Sequence, residues 1–136
     1  ARIEEAQEIW KTRVEIARAQ WHDRLKLNAE QATLFDDAVN TMNEKLYYTA
    51  QDFADLLASS DSLTPEDTTR AINDMTTVLT ETYSDFHEIF EDGQRDEVAM
   101  IELTDFIDPG VAEPLIAVQD KLENAALRRP PRGAVR

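Results

Sequence analysis

The stretch RLKLNAEQATLFDDAVNTMNEKL, residues 24–46, decides how this chain is read. Its apolar residues recur at helical spacing, and a capping residue stands directly in front of them. Asn28 is a good N-cap, because its side-chain oxygen can accept from an orphan amide of the first turn. Gln31, three residues on, can reach back to the Asn28 amide and complete a capping box. Glu30 places negative charge at the positive end of the helix dipole. Beyond this start Phe35, Met42, Thr49 and Leu56 repeat every seven residues, as do Val39, Leu46 and Phe53. The spacing predicts a helix over 29–57, about 43 Å long, with a heptad seam and Phe53 at its centre. A Phe at such a position is expected to cost ~3–5 kcal/mol when cut to Ala.

Working outward, the same grammar recurs twice. Leu63-Thr64-Pro65 repeats the order apolar residue, cap, helix start, with Glu66 and Asp67 complementing the dipole. It opens a predicted helix over 65–91, whose apolar residues Ile72, Leu79 and Phe86, then Met75, Thr82 and Ile89, step by seven. Gly93 is expected to end it in the left-handed C′ position. Ile107-Asp108-Pro109 is the third instance, with Asp108 as cap. Pro114 would delete a ladder bond inside a helix begun at 109. A loose turn over 109–112 is therefore expected, then a helix to about Leu127 along Val111, Leu115, Val118, Leu122 and Ala125. A short segment over 96–104 offers Val98, Ile101 and Met100 to a core.

Ahead of Asn28, residues Arg2 to Lys26 read as one further helix. Ile3, Ala6, Trp10, Val14, Ala17, Trp21 and Leu25 step by three or four and form an eleven-residue repeat. The fold class is thus all-α: an elongated antiparallel helical hairpin or bundle of four to five helices. Residues 1–127 read as a single helical domain and 128–136 as a basic, Pro-rich disordered tail.

Charge narrows the partners. The net charge is −14, and the tail Arg128 to Arg136 holds four Arg and no acid. Without it, 10 basic residues face 28 acidic ones. So acidic a body repels phosphate backbones, so no nucleic acid is expected. There is no Cys, which excludes disulfides and thiolate chemistry. No stretch approaches the ~20 apolar residues of a membrane span. The chain starts at Ala1 without Met, as expected of a fragment or of a chain from which a signal peptide or an anchor was removed.

Candidate chemistry is sparse. His87 with Glu91 four residues on is a weak candidate for a metal site, being one His and one carboxylate on a helix face. The Glu-x-x-His pattern of di-iron bundles is missing, since Ala19 and Ser84 stand three before the histidines. No Gly-rich phosphate loop or nucleophile elbow occurs. No catalytic residue, cofactor or metal is expected, and the chain reads as a non-enzyme.

WHDRLKLNAEQATLF, residues 21–35, resembles the signature of the small exported helical proteins that carry an L-T-x-x-Q motif. That group includes envelope-stress chaperones and Cpx-pathway inhibitors, with related heavy-metal-resistance sensors. Leu27, Asn28 and Gln31 match the motif, with Asn in place of Thr, and Glu30 matches the usual acid. A second copy is often found near the C-terminus; Ile107 to Val111 stands there, with Val111 in place of Gln. The resemblance implies a periplasmic, non-catalytic helical protein that binds a protein partner or unfolded clients in envelope stress. The alternative is the extracytoplasmic sensory domain of a membrane-anchored, metal-responsive signalling protein. It also implies a homodimer, for which the apolar stripe with Trp10 and Trp21, or the outer face of the helix over 29–57, would serve as the partner surface.

Overall fold

The computed structural model describes residues 2–59 and 63–128, and side chains as far as residue 120. Five α-helices follow in order: α1 (Arg2–Arg24), α2 (Ala29–Ser59), α3 (Pro65–Ile89), α4 (Asp92–Val98) and α5 (Glu113–Arg128). Two 3-10 turns, Leu103–Phe106 and Pro109–Ala112, link α4 to α5. The described residues contain no strand, so the all-α reading holds. Arg128 closes α5, and the rest of the expected tail lies outside the described residues.

Local chemistry explains the boundaries. α1 ends at Arg24, not Lys26, because a left-handed residue breaks it: Lys26 has φ 51°. The Leu27 amide then donates to the His22 carbonyl (3.2 Å) and the Lys26 amide to Asp23 (3.1 Å), the paired bonds of a Schellman ending. Thr64 caps α3 as expected: its hydroxyl accepts from the Asp67 amide (3.1 Å), and the Asp67 carboxylate accepts from the Thr64 amide (3.2 Å). At its other end α3 stops at Phe90, which turns extended (φ −102°, ψ 149°). Gly93 is therefore not a left-handed cap; it lies within α4, and no glycine among the described residues has positive φ. Pro114 falls in the first turn of α5, where its missing N–H deletes no ladder bond.

α2 is the axis of the fold: α3 and α5 both pack on it, as does the second 3-10 turn. α1 lies mainly over the two 3-10 turns. The main core gathers at one end of the hairpin. Phe35, Val39, Met42 and Leu46 of α2 meet Val78 and Phe86 of α3, with Phe90, Val98, Ile101, Leu103 and Phe106 closing it. Phe35 is the hub, stacked on Phe86 (5.1 Å between centroids, 7° between planes) and edge-on to Phe106 (5.7 Å).

One polar residue is buried in this axis. Asn43 donates from its amide to the Phe106 carbonyl (2.9 Å) and accepts from the Asp108 amide (2.8 Å). It thereby pins the segment between the 3-10 turns to α2. Ala50 and Ala54 continue the Asn43 face toward Ser59 and are buried, and α5, which follows directly from the pinned turn, packs on α2.

Beyond Leu46 and Val78 the hairpin continues as an arm with a thinner interior. The heptad seam is half right there: Thr49, Phe53 and Leu56 are only half-buried. On α3 the buried residues are Val78, Thr82 and Phe86, whereas Ile72 and Met75 are 59% and 46% exposed. Leu115 of α5 and Met100 are exposed too. Apolar periodicity marked a face wider than the neighbouring helices cover.

This placement sets an order of costs. Phe35→Ala should destabilise by ~3–5 kcal/mol. Phe53→Ala should cost roughly 1–2 kcal/mol, since that ring is less completely buried than Phe35. Urea denaturation of the two variants checks the order, and equal costs would place the core wrongly.

Candidate binding surface on the hairpin and its capping joint

The motif residues meet at the joint between α1, α2 and α4. Asn28 caps α2 as its sequence implies: its side-chain oxygen accepts from the Gln31 amide (2.8 Å), and Gln31 Oε1 accepts from the Asn28 amide (3.3 Å). Gln31 does more than close this box. Its Nε2 donates to Gln94 Oε1 (3.0 Å), which also accepts from the Glu91 amide at the start of α4 (3.1 Å). Gln94 Nε2 in turn donates to the Leu25 carbonyl (3.0 Å) at the end of α1. Two glutamines thus tie three helix ends together. Leu27 packs against the core beneath them, while Glu30 points to solvent. Gln94 was not singled out in the sequence; its one signal was its place three residues after the α4 cap, Glu91.

A second polar set docks α1. Arg18 and His22, one turn apart, face Asp36 and Asn40 of α2. Arg18 donates to Asn40 Oδ1 (2.8 Å), and His22 Nε2 lies 3.0 Å from Asp36 Oδ1. The two tryptophans are used within the chain. Trp10 donates its indole N–H to the Ile107 carbonyl (2.6 Å). Trp21 packs on the core and carries the Arg24 guanidinium 4.5 Å from its ring centroid.

Asp108 departs from its expected role. It has the extended backbone of an N-cap but makes no side-chain cap bond. Its carboxyl lies in a groove of about 540 Å³ between α1 and the second 3-10 turn, with Lys11 and Arg18 on the facing wall. Burial pushes its pKa above the usual carboxylate value, against the pull of Arg18 and Lys11.

His87 is exposed, and Glu91 stands as the α4 N-cap. Among the described residues no group of three or more His, Asp or Glu is arranged to hold a metal ion. No helix of those residues is long and apolar enough to cross a membrane.

The remaining surface of note is the arm. Besides Ile72 and Met75, it carries a groove of about 230 Å³ between α2 and α3. Phe53, Leu56 and Ala71 line it together with Asp52, Asp67 and Asp74. α3 also carries Thr69, Thr76, Thr77 and Thr80, each donating its hydroxyl to the carbonyl four residues back (2.8–2.9 Å). Those donors are already satisfied, so a partner that covered them would strand none.

The joint predicts non-additivity. Gln31→Ala and Gln94→Ala should each destabilise by ~1 kcal/mol, and the double variant should cost less than their sum by roughly 0.5–1.5 kcal/mol. A double-mutant cycle in urea measures this; additive costs would mean that the amide pair carries no coupling.

Comparison of the chain with family models, with curated proteins and with solved structures finds no match.

Proposed function

We propose that this chain is a non-enzymatic, extracytoplasmic binding protein that acts on a protein partner or unfolded clients through the arm of its α2–α3 hairpin. One observation carries the reading: the arm leaves apolar side chains in solvent, with Ile72 59% and Met75 46% exposed. They lie one turn apart on the same helix, and Leu79 follows a turn later, half-buried. Apolar side chains that share one exposed helix face are the kind of surface through which proteins bind one another. The base of the hairpin is well filled by contrast, so the arm is held at a fixed place by a core that it does not share. The extracytoplasmic, envelope-stress setting rests on the resemblance of residues 21–35 to the L-T-x-x-Q group. The net charge of −14 favours basic clients over acidic ones.

Suppression of client aggregation tests this. Reduced lysozyme, a basic protein, should stay soluble longer with an equimolar amount of this chain, and an acidic client should be helped less. Ile72→Thr with Met75→Thr keeps every charge and should remove most of the protection. No protection, or protection that the double variant retains in full, would overturn the reading.

A further inference from the structure

We propose that the α2–α3 groove at the arm receives a cationic amphipathic helix of a partner protein, one apolar anchor seated between two Lys or Arg residues. This rests on the reading of the arm as a binding element and names the partner chemistry of that element. The groove floor is apolar: Phe53 and Leu56 come from α2, Ala71 from α3, and all three are half-buried. Among the described residues no side chain is recorded over this floor, whereas Ala50 and Ala54, also on α2, are buried.

The rim is acidic and available. Asp52 and Asp74 line the groove, are exposed, and have no ion-pair partner among the described residues. The other charged rim groups are already engaged. Asp67 accepts from the Thr64 amide in the α3 cap (3.2 Å). Arg70, the one cation on the rim among the described residues, pairs with Glu66 at 3.0 Å. Two unpaired carboxylates beside an apolar slot match a cationic side chain, whose aliphatic stem lies on the floor while its head reaches the rim. The groove spans Thr49 to Leu56 on α2 and Asp67 to Asp74 on α3. At ~1.5 Å per residue that is about two helical turns. Two turns accommodate one anchor with a cation before and after it at i,i+3 or i,i+4 spacing. A groove between two packed helices is also the natural seat for a third.

A second copy of this chain fits poorly, since it would bring its own acidic rim against this one. The net charge of −14 draws a cationic segment from a distance and repels a like copy.

The test uses a fluorescent 14-residue Leu/Lys amphipathic peptide and fluorescence anisotropy on the full chain at physiological salt. Two variants of equal charge change are compared: Asp52→Asn with Asp74→Asn in the groove, and Glu4→Gln with Glu5→Gln on α1, away from it. All four positions are exposed, and circular dichroism melts check that both variants fold. The groove pair should weaken binding by about five- to tenfold and the α1 pair by less than about twofold. Equal weakening by both pairs would overturn the groove assignment and reduce the effect to net charge. It would leave the arm's role in client binding to stand or fall on Ile72 and Met75. Absence of peptide binding would overturn the proposal outright. Binding that appears only after deletion of residues 129–136 would make the chain's own basic tail the occupant, and would equally overturn a partner helix.

Discussion

The packing of Phe35 is the contact on which the rest of the fold depends. This ring is fully buried and touches four separate pieces of the chain. It stacks on Phe86 of α3, meets Phe90 beyond the α3 end, stands edge-on to Phe106 of the first 3-10 turn, and takes the His22 ring of α1 on another edge (5.4 Å). Aromatic pairs at such separations contribute beyond the area they bury. One side chain, seven residues after the Asn28 cap, therefore sets how α1, α3 and the irregular segment sit on α2. The cap fixes where α2 begins, and through that fixes which way Phe35 points.

Two polar devices complete what the ring cluster starts. The Gln31–Gln94 amide pair joins the starts of α2 and α4 and, through the Leu25 carbonyl, the end of α1. Asn43 holds both flanks of the irregular segment, one by donating and one by accepting. Each replaces the hydration that a buried backbone group would lose. Both sit at or near the filled end of the hairpin. Among the described residues the arm has no comparable device, and its interior is built from Ala50, Ala54 and half-buried side chains. The division between a well-specified base and a thinly covered arm is the physical basis for assigning binding to the arm.

Much of this was legible in the sequence, and the limits have physical causes. The caps at Asn28 and Thr64 could be read because a capping box is local: its partners are three residues apart. Gln94 could not be paired with Gln31, because that bond joins residues far apart in the chain and has no spacing rule. Apolar periodicity located the helices and the face of each. It could not tell Ile72 and Met75, which lie in solvent, from Val78 and Thr82, which lie in the core, since all four share one broad stripe. Which part of a stripe is covered depends on where the neighbouring helices stop. Asn43 did leave a signal, a polar residue on an otherwise apolar core face. Asp108 misled: its pattern of apolar residue, cap and proline matched Thr64, but its carboxyl turned toward Lys11 and Arg18.

The central claim, a main core at the base of the hairpin and a thinner interior in the arm, is tested most directly by native-state hydrogen exchange resolved by residue. The account predicts that amides of α2 from Phe35 to Leu46 and of α3 from Val78 to Phe86 exchange only through global unfolding. Amides over 51–59 and 66–74 should open at a free energy lower by roughly 2 kcal/mol or more, as sub-global units do. Uniform protection along both helices would contradict it, because the arm would then share the stability of the base.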